Sequence, residues 1–284
     1  MTALELADRL ENAERLDGAV SRLQGIVAKL PAGRLKDALH GVNLGHPLHP
    51  MLAQGALGAF VSTAVLDGAR RHGEAAQLLI AAGLVAAVPT AAAGAVDWAD
   101  QHEQQTRVGL VHALGNTLAL SAYGASLIAR RSDRPGLGRA LGFAGLAVAG
   151  ASGYLGGHMA FRQAAGANHA ESVPHLIPPG WHRLGRISRI PQRETVKRRI
   201  GDVPVLVYRR GEHFDVLADS CPHLAAPLSD GEVTDDGCIV CPWHGSVFGL
   251  DDGEVVHGPA TAAVPRFSTR VKAGLLEVRL PGAG

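Results

Sequence analysis

Four apolar stretches, residues 48–68, 75–96, 108–129 and 140–161, set the strongest constraint on how this chain can fold. Each is close to the ~20 residues that carry a helix across a bilayer. In hydrocarbon the backbone must satisfy its own hydrogen bonds, so such segments are helices. Polar joins separate them: DGARRHGE, DWADQHEQQTR and RRSDRPGLGR. The stretches are rich in small residues. Gly153 and Gly157 form a G-x-x-x-G, and Ala149 extends that face by one turn. Small faces let helices approach closely where packing drives association. A soluble bundle is the competing reading, and four such lengths in series favour the membrane. The expectation is an all-α four-helix transmembrane bundle over residues 41–170.

The flanks differ. Residues 1–40 read as an amphipathic N-terminal segment. Ala13, Leu16, Val20, Leu23, Val27 and Leu30 line one face of a helix expected over residues 4–30, and Pro31 and Gly33 end it. The opening MTALELADRLENAERL lacks the apolar core of a secretory signal. Residues 171–180 are a proline-rich linker. After it the pattern changes to short strands, VPVLVYRR, HFDVLAD, CIVCP, SVFGL and LLEVRL, which predicts an all-β domain over 181–284. A net charge of +1 gives no field for nucleic acid, and three cysteines are no disulfide scaffold.

Two motifs inside the β region carry chemistry: Cys221-Pro222-His223 and Cys241-Pro242-Trp243-His244. Each offers one thiolate and one imidazole on a tight turn. A structural zinc site uses the same ligand types, but zinc fingers usually pair like with like. Here each loop mixes the two, as an asymmetric diiron centre requires. The surrounding CPHLAAPLSDGEV and CPWHGSVFGLDDGEVVHGPA strongly resemble the Rieske ferredoxin and Rieske oxygenase-ferredoxin family over about residues 180–280. The resemblance implies a Rieske-type [2Fe–2S] cluster with Cys221, His223, Cys241 and His244 as its metal ligands.

The resemblance also implies cluster-tuning positions. Gly245 allows close backbone approach, and Ser246 stands where high-potential members donate a hydrogen bond to a bridging sulfide. The cysteine pair that clamps the two loops in cytochrome bc complexes corresponds to Ala226 and Trp243, so that disulfide is absent. Phe248 replaces a tyrosine and loses its hydroxyl. These departures point to the low-potential ferredoxin type, with Ser246 pulling the other way. Cys238, three residues before Cys241, reads as a buried inert thiol.

Histidines concentrate at one end of the expected bundle: His46, His49, His102, His112, His158 and His169. A polar group inside a membrane helix needs a partner. His49, His112 and His158 are candidates for ligating haem b or binding a quinone, against the plainer alternative of structural hydrogen bonding. The absence of C-x-x-C-H excludes covalent haem c. The motif HPLHP, with GYLGGHMAFR at the far end, resembles a family of small bacterial four-helix membrane domains over about residues 40–170, which supports the membrane assignment and implies no activity.

These readings combine into a multi-pass protein of the bacterial plasma membrane. Its expected role is to carry one electron between a reductase or quinol and a partner oxidoreductase. The alternatives are a quinone- or haem-linked oxidoreductase subunit, or a redox sensor or assembly factor. No G-x-G-x-x-G marks a reductase of its own. About 40 residues follow His244, too few for an oxygenase iron domain. An electron-transfer component is expected, not a stand-alone enzyme. Arg70, Arg71, Arg130, Arg131, Arg134 and Arg139 would put the opposite face inside. Lys29, Arg34, Lys36, Arg107 and Arg162 flank the cluster side. The missing disulfide suits a reducing compartment, so the cluster domain is assigned to the cytoplasmic face.

Overall fold

The computed structural model describes residues 2–281. Its helices, in chain order, are α1 (Ala3–Glu11), α2 (Asp17–Val27), α3 (Arg34–His40), α4 (Leu48–Gly68), α5 (Gly73–Ala99), α6 (Glu103–Arg131), α7 (Pro135–Phe161) and α8 (Val173–Leu176). The strands are β1 (His182–Arg186), β2 (Thr195–Ile200), β3 (Val203–Arg210), β4 (His213–Ala218), β5 (Glu232–Val233), β6 (Cys238–Val240), β7 (Val247–Gly249), β8 (Val255–His257), β9 (Ser268–Lys272) and β10 (Leu275–Arg279). The chain divides into a helical unit, through Pro31 plus 47–165, and a β unit, 32–46 plus 166 onward.

The expected single helix over residues 4–30 is two helices. Thr2 and Glu5 form a reciprocal capping box at the start of α1, and Asn12 ends it. Arg107 fills the break. Its side chain is nearly buried, donates to the Glu11 carbonyl at 2.9 Å and clamps the Asp17 carboxylate at 2.6 and 2.8 Å. A cation at the end of α1 and an anion at the start of α2 both complement the helix dipoles. The guanidinium holds the Asp17 carboxyl below its ordinary pKa. Apolar spacing alone does not reveal this break, because Ala7 and Val20 still face inward on either side of it.

Three helices, α4, α5 and α7, are long and apolar enough to cross a membrane. The stretch expected as a further span lies in α6, the longest helix. It also carries His112, Asn116, Thr117, Ser121 and Ser126, which make it less apolar.

The helical unit repeats itself. α4 and α6 place similar residues 63 positions apart, His49 and His112, Phe60 and Tyr123, Thr63 and Ser126, and at the same spacing the opposite charges Asp67 and Arg130. α5 and α7 do so at 62: Gly83 and Gly145, Thr90 and Ser152, Gly94 and Gly156. Three equivalent pairs meet directly. The rings of His49 and His112 lie 6.4 Å apart edge to face. Phe60 and Tyr123 stack at 3.8 Å. Arg130 grips Asp67 through two bonds of 2.9 and 2.5 Å, with both side chains at most 5% exposed. The α4–α5 hairpin and the α6–α7 hairpin thus share one spacing of ring, hydroxyl and glycine positions, and equivalent side chains meet between them. Glycines make the approach possible. A Cβ on Gly83 would lie 2.6 Å from the Phe60 ring, and one on Gly145 would lie 3.1 Å from Tyr123. Arg130 and Arg107, counted above among flanking charges, are both committed to internal ion pairs.

In the β unit, the strands form three antiparallel sheets, ordered β1-β10-β9, β2-β3-β4 and β5-β6-β7-β8. One core joins them, built on Val205, Leu206, Val207, Leu217, Leu228, Ile239, Phe248, Leu250, Phe267 and Leu276. Residues 32–46, expected with the N-terminal helix and the bundle, belong here. The Asp37 carboxylate accepts from His257 Nδ1 at 2.9 Å and from the Gly258 N–H at 3.0 Å, and it ties α3 to the end of β8. α8 occupies part of the expected linker.

Breaking a buried ion pair by removing one partner typically costs about 3–5 kcal/mol. Asp67→Ala is therefore expected to lower the thermal midpoint of the detergent-solubilised protein. The swap Asp67→Arg with Arg130→Asp should recover part of that loss. Equal midpoints for wild type and Asp67→Ala would show that the pair does not brace the bundle.

Candidate metal centre

Two loops of like construction stand at the ends of β4 and β6. In the first, the Cys221 N–H donates to the Ala226 carbonyl at 2.8 Å, and the Cys221 carbonyl accepts from the Ala225 N–H at 2.8 Å. In the second, the Cys241 N–H donates to the Ser246 carbonyl at 2.8 Å, and the Cys241 carbonyl accepts from the Gly245 N–H at 3.1 Å. Each turn needs a left-handed residue four positions after its cysteine. Gly245 takes φ +72° and Ala225 takes φ +63°. Glycine does this at little cost, and alanine does not.

Each cysteine sulfur also receives two backbone N–H groups, from His223 and Leu224 on Cys221 and from Trp243 and His244 on Cys241. The thiols are buried, at 1% and 3% exposure, and hydrogen-bond to each other. That bond and the N–H donors draw the Cys241 thiol below its ordinary pKa, while the bond and burial push Cys221 up. The two sulfurs lie inside a cradle of N–H dipoles that favours negative charge on them. The His223 and His244 rings are half-buried, 5.0 Å apart and perpendicular.

The loops are braced from below. Asp219, two residues before Cys221 and almost fully buried, accepts from the Ser229 N–H at 2.6 Å and the Ser229 hydroxyl at 2.9 Å, and it pairs with Lys197 at 3.0 Å. Sequence reasoning missed this carboxylate, since nothing in its local pattern marks it off from a turn aspartate. Ser246 is fully buried and its Oγ accepts from the Ala260 N–H at 2.9 Å, which leaves the hydroxyl proton to be donated elsewhere. Phe248 is a core side chain on β7. Trp243 is 49% exposed, with its ring 6.5 Å from that of His244. Cys238 is buried on β6, and burial first of all raises its thiol pKa.

This donor set fits a [2Fe–2S] group of mixed ligation. Two sulfurs lie side by side inside, two imidazoles lie side by side outside, and N–H groups point at the anionic end. The three bundle histidines do not converge. His49 and His112 are neighbours, but the His158 Nε2 meets the Glu11 carboxylate at 2.6 Å, with Asp8 beside it.

Comparison with known proteins gives the same result. Residues 180–268 match the Rieske [2Fe-2S] domain model, and residues 45–169 match a family described as Predicted membrane protein (DUF2231). The ferredoxin subunit of anthranilate 1,2-dioxygenase from Burkholderia cepacia is 34% identical over 100 residues, 35% of this chain and 92% of that one. Ferredoxin CarAc from Metapseudomonas resinovorans is 38% identical over 82 residues, 28% of this chain and 76% of that one. A solved complex of reduced oxygenase and oxidized ferredoxin in carbazole 1,9a-dioxygenase aligns at 32% identity and a TM-score of 0.32, over 35% of this chain and 92% of that one. The chain belongs to the Rieske ferredoxin family, with a DUF2231 membrane-protein domain preceding its iron–sulfur domain. It is a Rieske electron carrier with a [2Fe–2S] cluster.

The left-handed residues give a direct check on the loops. Gly245→Ala is expected to destabilise the β unit by about 1–2 kcal/mol, and Ala225→Gly to stabilise it by up to about 1 kcal/mol. The readout is the guanidinium midpoint for loss of visible cluster absorption in the full chain. Opposite signs support the turn geometry, and equal effects contradict it.

Proposed function

We propose that this protein is a membrane-anchored Rieske ferredoxin whose cluster is held by Cys221 and Cys241 on one iron and His223 and His244 on the other. In this reading it takes single electrons from a reductase or quinol and passes them to a partner oxidoreductase. The observation that carries the reading is the pair of matching loops, with buried sulfurs and half-exposed imidazoles. When bound, the cluster supplies reversible one-electron chemistry.

The chain's own residues shape that chemistry. The four N–H groups on the two sulfurs stabilise negative charge and favour reduction. Ser246 has a hydroxyl proton to add to them, whereas Phe248 offers none. Ala226 and Trp243 leave the loops unclamped. This combination suits the lower-potential ferredoxin range. The half-exposed histidine edge is the exit for electrons, and Trp243 beside it gives a partner an aromatic surface to pack on. The Burkholderia cepacia relative is the ferredoxin subunit of a dioxygenase, so a partner oxygenase or its reductase is the leading class of redox partner. The helical unit anchors the carrier as a multi-pass protein in the plasma membrane, with the iron–sulfur domain on the cytoplasmic side.

Trp243→Ala tests the exit. It is expected to slow electron delivery to a Rieske oxygenase roughly tenfold, consistent with loss of an interface anchor worth ~1.4 kcal/mol, while the reduced-state EPR signal stays unchanged. An unchanged rate would remove Trp243 from the docking surface. A cysteine placed at Ser132 tests orientation. Labelling by an impermeant maleimide from outside intact cells supports a cytoplasmic cluster, and labelling only after lysis contradicts it.

A further inference from the structure

The outer face of the β1-β10-β9 sheet plays no part in holding the cluster, yet its register gathers charge of one sign. On β10, Leu276 and Val278 belong to the core, so Leu275, Glu277 and Arg279 turn the other way. Residues directly opposed on neighbouring strands share a face. Leu275 therefore stands between Arg186 on β1 and Lys272 on β9, and Glu277 stands between Arg183 and Arg270. An irregularity between Arg183 and Gly185 lets both β1 arginines face the same side. With Arg279, the face holds five cations and one carboxylate.

That carboxylate is spent internally. Glu277 is 6% exposed, pairs with Arg270 at 2.7 Å and lies 3.5 Å from the Arg183 Nε. Arg186, Lys272 and Arg279 are exposed, and among the described residues no acid forms an ion pair with them. The face also carries an aromatic ring. The Arg270 guanidinium lies over Trp181 at 4.0 Å from the ring centre, and that of Arg279 at 5.1 Å. Negative charge collects elsewhere. Residues 211–265, which include both ligand loops, hold ten Asp and Glu and no Lys or Arg.

We propose that the outer face of the β1-β10-β9 sheet docks on anionic phospholipid headgroups of the membrane that carries the chain. The inference rests on the membrane anchoring proposed above. Exposed Lys and Arg are drawn to an anionic leaflet, and Trp favours the headgroup layer. An acidic protein offers the same charge, but it must be recruited from solution. The bilayer is already at hand, because Trp181 follows the end of α7 by twenty residues. A tether of that kind gives an effective concentration on the order of millimolar. The same surface potential repels residues 211–265, which keeps the ligand loops off the lipid and open to a redox partner.

The test uses the full chain in nanodiscs that contain a lipid with a nitroxide on its headgroup. The discs are made from neutral phosphatidylcholine alone or mixed with anionic phosphatidylglycerol. A fluorophore on Ala273→Cys, in the exposed turn between β9 and β10, reports approach to the lipid, and the native cysteines are buried. Quenching is expected to be at least about twofold stronger in the anionic discs and to fall to the neutral value in high salt. The Arg186→Gln/Lys272→Gln/Arg279→Gln variant spares the Arg183 and Arg270 contacts with Glu277 and should lose the difference, with visible cluster absorption reporting that it folds. Lys272→Glu alone should lose part of it, and that single exposed change covers a triple variant that does not fold. Equal quenching of the wild type in both kinds of disc, or wild-type quenching in the folded triple variant, would overturn the proposal. Weak quenching in both would overturn it and leave the face to an acidic protein. A chain that does not co-elute with lipid contradicts the anchoring and the docking together, whereas equal quenching in a chain that does contradicts the docking alone.

Discussion

Two sulfurs placed side by side in a protein interior are the constraint on which the iron–sulfur domain depends. A buried thiolate needs donors, and side chains are costly donors because they must themselves be ordered. Here the backbone supplies them. Each ligand loop curls so that the N–H groups two and three residues after its cysteine face that cysteine's sulfur. The curl forces a left-handed residue at the fourth position, which explains Gly245 and the strained Ala225. It places the fifth position in the core, where Ala226 and Ser246 are both buried. Most of the local sequence around the motifs follows from that one requirement, and Asp219 then fixes the first loop to its foundation.

The helical unit answers a different constraint by similar means. In a membrane no hydrophobic effect drives helices together, so close packing and polar contacts must. Glycines at 83, 94, 145 and 156 admit a ring from the neighbouring helix, and a two-bond ion pair joins the C-terminal ends of α4 and α6. Repeating one hairpin lets a single solution serve twice. The cost is that polar side chains such as His49 and His112 lie inside, each needing a fixed partner.

Much of this was legible beforehand, and for physical reasons. Mixed Cys-x-His and Cys-x-x-His loops carry ligand chemistry in the letters themselves. Strand β3 announces itself by its valines, and β4 by its apolar Phe214, Val216 and Leu217. β1, β2 and β9 do not, because HRLGR, TVKRRI and STRVK are largely polar strands partly open to solvent. The break at Asn12 depends on Arg107, some 90 residues away, and local periodicity cannot register it. Residues 32–46 join the β unit through contacts far along the chain: Asp37 takes His257 and the Gly258 N–H, and His40 and Val42 pack against Gly258. Few positions of the hairpin repeat are identical, so the letters alone do not display it, whereas the contacts between equivalent side chains do. Among the bundle histidines, depth pointed to His112, but only the structure separates the His49–His112 pair from His158.

The assignment of ligands is the claim on which the rest of the functional account stands. Pulsed EPR of the dithionite-reduced full chain tests it most directly, because nitrogen bound to iron couples strongly to the electron spin. The account predicts two strongly coupled nitrogens, one lost in His223→Cys and the other in His244→Cys, with no paramagnetic cluster at all in Cys221→Ala or Cys241→Ala. A reduced cluster without strongly coupled nitrogen, or a preparation holding zinc in place of iron, would contradict it.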